Sequence, residues 1–378
     1  MNLGISPEQQ ELKQSVRRFL AERAPMAKVR ELMQTPDGTD PDVWRLASAQ
    51  LGLPGIAVPE EYGGAGFSFA EQAIVLEELG AALFTGPYLA SAVLAATALL
   101  ASDDIEARKD LLPGIAAGET IATLAFTEDG GSWDPAAIKL AADQTSDGWH
   151  LSGHKSFVLD GHTADLILAT ARTAAGTGTG TGTGGNLSLF AVTSTADGLT
   201  RRALPALDQT RKLARLEFTG TPARLITTPH AVLDHTLDVA AIALAAEQLG
   251  GAQRALDMAV EYAKVRHQFG RPIGSFQAIK HRCADLLLEV ESLRSAVGYA
   301  AAAVAADSAE VPVLASLLKA YASEVYSHVA GENIQIHGGI GFTWEHDAHL
   351  YLKRAKASEL FLGDASYHRA RLAARIGL

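Results

Sequence analysis

The sequence predicts a multidomain α and β protein in which a helical region, a strand-rich region and a second helical region follow one another. Three observations carry this. Residues 6–120 space their apolar positions helically, residues 121–228 hold short β-rich runs between turn signals, and long amphipathic patterns return from about 229. The expected domains are an N-terminal helical domain over 1–120, a small antiparallel β domain over 121–228 and a C-terminal four-helix bundle over 229–378. No β-α-β alternation occurs, which excludes a Rossmann-type nucleotide site.

The first helix is signalled by Ser6-Pro7-Glu8-Gln9, an N-cap, a proline at the first helical position and Glu/Gln in the first turn, and should run to about Ala24. A second helix is expected over Trp44–Gly52, ended by glycine, a third over Phe69–Leu83 and a fourth over Tyr88–Leu100. Leu53–Gly66 reads as a Pro/Gly loop. Strands are expected at Ile121–Phe126, Trp149–Ser152, Leu166–Ala171, Leu187–Thr193 and Ala214–Phe218, separated by turns such as Ser146-Asp-Gly148, Asp160-Gly161 and Ala196-Asp-Gly198. The Gly/Thr run Gly176–Gly185 is of low complexity and reads as a flexible hairpin tip. A phosphate-cradling loop would need a Lys-Ser/Thr ending and a following helix, and has neither. The last four helices are expected over Asp238–His267, Gln277–Asp307, Val313–Ile336 and Trp344–Arg375, the last one whole or as a broken pair.

The 378 residues are 48% apolar, enough for large cores, and Lys plus Arg number 32 against 43 for Asp plus Glu. The resulting net charge of −11 argues against nucleic-acid binding, which needs basic surface to neutralise phosphates. Cys283 is the single cysteine, so no disulfide forms within the chain and a reducing, cytoplasmic compartment fits; it reads as a small buried hydrophobe or a reactive thiol. Met1–Glu8 shows no basic segment followed by an apolar run, so no secretory leader is expected. The Ala-rich runs are broken by charges, so no membrane span is expected.

Within this acidic chain, one corner is basic. Arg266, His267, Arg271, Lys280, His281 and Arg282 flank Gly270-Arg-Pro-Ile-Gly274, where glycine stops a helix and Pro272 cannot continue it. The cluster suits either an anion such as a pyrophosphate at two helix ends or a solvated turn with capping cations. The pattern R-x-Q-F-G-x-P-I-x-x-F-Q-A-I-K-H from Arg266 to His281 resembles the acyl-CoA dehydrogenase family. So do Val58-Pro-Glu-Glu-Tyr-Gly-Gly-Ala-Gly66, Glu77-Glu-Leu-Gly80 and the order of an α domain, a β-barrel and a four-helix domain, so the resemblance covers nearly the whole chain.

The resemblance implies FAD. Arg266 and Phe269, with Gln277 nearby, would meet the FAD of a neighbouring subunit, and Gln335, Gly338 and Gly339 of Gln335-Ile-His-Gly-Gly-Ile-Gly-Phe342 would meet its phosphate and adenosine region. Leu124-Ala-Phe-Thr-Glu-Asp-Gly-Gly-Ser-Trp-Asp134 is similar to the loop along the flavin ring, which assigns Phe126, Thr127 and, with altered spacing, Ser132. Gly153–Gly161 stands where the family has N-G-x-K-x-W-I-T-N-G; its Trp is Phe157 here, and its Thr near flavin N5 is Leu159.

The implied reaction removes the α-proton and β-hydride of an acyl-CoA thioester, so it needs a carboxylate base. Many family members carry it in a Y-E-G-T sequence, and here Phe361-Leu-Gly-Asp364 places Leu362 there. Others carry it early in the first long C-terminal helix, at a position corresponding to Ala240, with an Arg corresponding to Ala241. Two carboxylates remain as weak candidates: Asp364, two residues past Leu362, and Glu247, about 10 Å along the helix from Ala240, whose alternative role is a buried ion pair. His337, His346, Asp347 and His349 include an i, i+3 histidine pair, but a wider ligand set is lacking, so no metal is expected. The resemblance thus implies either an acyl-CoA dehydrogenase with an unconventional base or a non-catalytic subunit that completes the FAD site of a base-carrying one. In the first case the chain is a homo-oligomer, in the second a partner in an α2β2 heterotetramer with a related subunit. Electron-transferring flavoprotein is the implied acceptor. A flavin-free structural or binding subunit is a third reading.

Overall fold

The computed structural model describes residues 5–173, 186–227 and 230–378; the Gly176–Gly185 run lies outside the described residues. The N-terminal helices are α1 (Pro7–Arg23), α2 (Met26–Leu32), α3 (Pro41–Leu51), α4 (Phe69–Ala81), α5 (Ala96–Leu100) and α6 (Ile105–Ala116). Caps decide their starts. Ser6 Oγ accepts from the Gln9 amide while Gln9 Oε1 accepts from the Ser6 amide, a capping box, and Ser68 with Glu71 repeats it at α4. Helix α3 starts three residues before the expected Trp44 because Asp40 caps it and Pro41 takes the first position. The expected helix over Tyr88–Leu100 is only partly α: Leu89–Ala95 takes the wider π geometry. All seven residues are buried, so their pattern has no exposed face from which to read the pitch.

The strands are β1 (Ala122–Ala125), β2 (Ala141–Thr145), β3 (Gly148–Leu159), β4 (Leu166–Thr173), β5 (Leu187–Thr193), β6 (Leu199–Leu204) and β7 (Leu213–Thr227). β4, β2, β3, β7 and β5 pair in turn, and β5 pairs back to β4, closing a barrel; β1 lies on β4 and β6 on β7. The expectation of antiparallel pairing holds for most neighbours, but β1 and β2 both run parallel to β4. Strands β2 and β6 escape the sequence pattern because their faces are largely exposed and polar. β7 runs past the expected end at Phe218 because Gly220, at φ 59°, stands unpaired as a bulge between Thr219 and Thr221. Leu151, Val158, Ile167, Ala169, Phe190, Leu216 and Phe218 fill the barrel.

The C-terminal helices are α7 (His230–Val265), α8 (Gln277–Ala305), α9 (Val311–His337), α10 (Ala348–Leu360) and α11 (Ala365–Arg375), so the fourth expected helix is the broken pair. Between α7 and α8 the strands β8 (His267–Gln268) and β9 (Arg271–Pro272) form a small hairpin. By contacts the chain divides into two units. One comprises Met1–Glu31, Ser68–Phe84 and Ala241–Leu378; the other comprises Leu32–Phe67 and Thr85–Ala240. Among the described residues no helix is long and apolar enough to cross a membrane.

In the first unit α4 is tied to its neighbours by ion pairs on Glu77 and Glu78. Lys13 of α1 reaches Glu77 at 2.7 Å, Arg17 reaches Glu78 at 2.8 Å, and Arg294 of α8 also bonds Glu77. Helices α4 and α7 cross backbone to backbone. A Cβ on Gly250 would fall 1.7 Å from the Glu77 carbonyl oxygen, and one on Gly80 would fall 2.0 Å from that of Glu247. We therefore expect Gly250→Ala to destabilise the protein by about 3 kcal/mol or more, the upper end of overpacking, measured by urea denaturation; a loss below about 1 kcal/mol would mean that the crossing yields.

Candidate functional site

The residues assigned to the flavin ring lie in the second unit, on two neighbouring segments. β3 carries a bulge: Lys155 pairs with Leu216 and Val158 with Ala214, so Ser156 and Phe157 together face one residue of β7. Phe157 sits there at φ 58°, a left-handed conformation that costs an ordinary residue roughly 1–2 kcal/mol, and its ring is 38% exposed. The loop after β1 is bonded to this bulge in both directions. The Ser156 amide donates to Thr127 O at 2.9 Å, and Thr127 Oγ1 donates to Ser156 O at 2.6 Å. Phe126 is buried and stacks on Trp133, centroids 6.0 Å apart. Ser132 is exposed in the turn before Asp134, whose amide bonds its Oγ at 3.2 Å. Leu159 is buried and pairs with Leu213.

Sequence reasoning missed the groups that hold this loop. Lys155 is fully buried; its Nζ donates to Phe126 O at 2.8 Å and to Glu128 Oε1 at 3.2 Å. Burial pushes its pKa down to about 8, against the opposing pull of Glu128. Glu128 Oε1 also accepts the amides of Lys139 and Leu140 at 2.7 and 2.8 Å. Burial pushes the Glu128 carboxyl up, but Lys155 and the two amides outweigh it and hold it below the usual range. Asp129 takes both Nε and Nη2 of Arg215, at 3.2 and 3.1 Å, and lies 3.0 Å from His154. Arg215 and then Ser156 hold its pKa near 2. The missed signal was strand parity, which puts Lys155 on the same inward side as Leu151.

The other assigned residues meet in the first unit. Helix α7 ends at Val265, not His267, and the expected helix–loop–helix corner is a two-residue hairpin whose central residues, Phe269 and Gly270, have φ of 51° and 77°. Positive φ at both positions is the type I′ signature, normally carried by Asn-Gly. Phe269 is 92% exposed, and its only described ring neighbour is Phe276, edge-on at 6.1 Å, on which Arg271 stacks at 4.1 Å. Arg266 and Gln277 are exposed beside it. The turn after α9 adjoins this corner: Tyr262 stacks on buried His337 at 4.3 Å, and His337 meets the tilted ring of His346 at 4.2 Å. Gln335, Gly338 and Gly339 are exposed. Gly338, at φ 64° and ψ −143°, holds a conformation that essentially only glycine adopts, and nothing lies within 4 Å of where its Cβ would be. An open main-chain turn beside an exposed guanidinium, Arg266, and an exposed ring, Phe269, suits a diphosphate carrying an aromatic base, so these residues fit the adenosine diphosphate part of FAD.

Neither of the two positions that the resemblance would assign to a base holds a carboxylate. Ala240 is fully buried, and Leu362 is buried with φ 63°, followed by Gly363 at φ 100°. This turn is pinned. Buried Lys319 donates to Gly363 O at 2.9 Å, Glu359 O at 3.1 Å and Ser323 Oγ at 3.0 Å; His368 Nε2 donates to Leu362 O at 2.9 Å. Burial lowers the Lys319 pKa to about 7. Asp364 is exposed and caps α11 through the Tyr367 amide at 2.8 Å. Glu247 is buried and accepts from Arg354 at 2.7 Å. Both weak candidates thus have structural partners. His346 Nδ1 accepts the Ala348 amide at 3.1 Å, and His349 meets Trp344 edge-on. Among the described residues no group of three or more His, Cys, Asp or Glu side chains is placed to hold a metal.

Comparison with known proteins adds the following. Three family models match: acyl-CoA dehydrogenase N-terminal domain over residues 6–119, middle domain over 123–220 and C-terminal domain over 230–377. The acyl-CoA dehydrogenase IpdE2 of Mycolicibacterium smegmatis is 36% identical over 372 residues, 98% of this chain and 100% of its own. The solved Tcur3481–Tcur3483 steroid ACAD G363A variant is 33% identical with a TM-score of 0.86 over 99% of both chains. The ChsE4–ChsE5 complex from Mycobacterium tuberculosis is 30% identical with a TM-score of 0.89, over 100% of this chain and 99% of that one.

The pinned turn has a pH signature. Burial lowers the His368 pKa to about 4 from 6.5, and its Nδ1 is buried without a partner. The unfolded chain therefore binds a proton between pH 6.5 and 4 that the folded chain refuses. Stability should fall as pH drops through that window, by roughly 3 kcal/mol for this group. His368→Gln, which keeps a donor but does not titrate, should flatten the fall in urea denaturation across pH 4–7; an unchanged slope would remove His368 as its source.

Proposed function

The chain belongs to the acyl-CoA dehydrogenase family, and from that premise we propose that it serves FAD-dependent α,β-dehydrogenation of an acyl-CoA thioester as one subunit of an oligomer. The observation that carries the reading is the hairpin corner. A phenylalanine held at positive φ and 92% exposed, beside exposed Arg266 and the open Gly338 turn, is a built surface that this chain leaves uncovered.

Bound FAD supplies the hydride acceptor. Arg266 would neutralise its diphosphate, the amides at Gly338 and Gly339 would approach the same group, and Phe269, Gln277 and Gln335 would flank it on a neighbouring subunit. Thr127 and Phe126 would present backbone and ring to the flavin, with Phe157 as a wall and Ser132 at the edge. Proton abstraction at Cα needs a carboxylate, and the two positions that would supply it are Ala240 and Leu362. Glu247 is neutralised by Arg354, and Asp364 is engaged in capping. The base therefore comes from a related chain, and the oligomer is a heteromer of α2β2 type, as the paired names of the solved relatives suggest. Electrons leave to an electron-transferring flavoprotein.

The test is the visible spectrum of the chain, alone and co-assembled with a related Glu-carrying chain, before and after anaerobic addition of straight-chain and steroid acyl-CoAs. We expect bleaching only in the co-assembly. Bleaching by the chain alone would overturn the missing base and turn attention to Asp364 and Glu247. Arg266→Ala should lower flavin retention in the assembly about tenfold, the scale of one lost charge-assisted contact; unchanged flavin content would refute the assignment of Arg266.

A further inference from the structure

We infer that Lys155 is a positioning residue for the flavin-side surface, acting through Glu128 and the Phe126 carbonyl. The inference rests on the functional reading above. A lysine with no solvent access is held in water's absence only if acceptors surround its ammonium. Those acceptors are the carbonyl of Phe126, on one side of Thr127, and the carboxylate of Glu128, on the other. One buried charge therefore holds the backbone on one flank of Thr127 and the side chain of the residue on the other.

The grip extends further. Glu128 Oε1 passes it to the far end of the same loop by accepting the amides of Lys139 and Leu140, so residues 126–140 are closed at their base by one Lys–Glu pair. Lys155 is also the last regularly paired residue before the β3 bulge, and Ser156 exchanges two hydrogen bonds with Thr127. The loop and the bulge are thus one piece. The exposed Phe157, the Thr127 backbone and the buried Phe126 are set relative to one another by buried Lys155 and Ser156 and by half-buried Glu128. Beyond Asp129, Gly130 has no neighbour within 4 Å of a built Cβ, and Gly131 has only the Phe157 ring at 3.9 Å. Arg172 adds bonds to the carbonyls of Pro135, Ala136 and Ile138, so the Lys155–Glu128 pair closes the base while Arg172 braces the second half of the loop.

The test compares Lys155→Met, Glu128→Gln and the double variant in the full assembly, with FAD as the probe. We expect Lys155→Met to raise the FAD dissociation constant tenfold or more and to speed hydrogen exchange at the amides of Ser156, Lys139 and Leu140, leaving Leu168 and Phe190 in the barrel protected. The double variant, with no unpaired carboxylate, should recover the melting temperature but not the FAD affinity, because Phe126 O still lacks its donor. If Lys155→Met does not fold, Glu128→Gln carries the test in the same direction. Recovery of both affinity and melting temperature in the double variant would overturn the inference by reducing Lys155 to a structural ion-pair member, as would uniform loss of protection across the barrel. A wild-type assembly without FAD would overturn the functional reading and the inference with it; wild-type FAD affinity in every variant would overturn the inference alone.

Discussion

A protonated amine removed from water must be surrounded by oxygen, and this chain meets that constraint twice, once in each unit. Lys155 and Lys319 are both fully buried, and most of the acceptors they gather are backbone carbonyls. Phe126 O belongs to the loop bonded to the bulge that holds Phe157, and Gly363 O directly follows Leu362; Phe157 and Leu362 are both in the left-handed region. An isolated turn of this kind would relax. Tied to an ammonium that has nowhere else to go, it cannot relax without exposing a charge to a low-dielectric core. Lys155 thereby braces the loop assigned to the flavin ring, and Lys319 braces the turn at Leu362.

Much of the fold was legible because helix ends carry chemistry. Ser6 and Gln9, or Gly52 after α3, announce themselves through the bonds that only a helix terminus offers. The strand-rich region was legible as a composition more than as a topology. Barrel closure depends on pairings such as Ala142 with Thr173 and Phe190 with Leu225, which join distant stretches and leave no mark on either. The mostly exposed β6 has no apolar alternation to read. At the corner, glycine and proline marked a break correctly, but a two-residue hairpin with Phe at a position that usually takes Asn departs from local preference, and such departures gather where structure serves a purpose beyond stability.

The candidate site divides the same way. Residues that resemblance singled out, Arg266, Phe269, Gln335, Gly338 and Gly339, are grouped on one face of the first unit because Tyr262 and His337 hold the two segments together. Lys155 falls on the Lys of the N-G-x-K pattern, but no motif shows that it or Lys319 is buried. A buried lysine looks like any other lysine until the parity of its strand or helix is followed: Lys319 lies one residue after Leu318 and four after Ala315, both buried on α9. The apolar residues at 240 and 362 read the same in sequence and structure, since a missing carboxylate is a statement of composition. The structure adds that the remaining acids nearby in sequence are already engaged.

The reciprocal contact of Gly80 and Gly250 sets a limit on how this chain can evolve. Two backbones in direct contact admit no side chain at the crossing and no intermediate register, so α7 can change its offset against α4 only by moving a pair of glycines along both helices at once. Glu247 lies in that crossing and is locked with it. A new side chain on this part of α7 would arise by point change at an existing position, because the crossing closes the route of sliding one in along the helix.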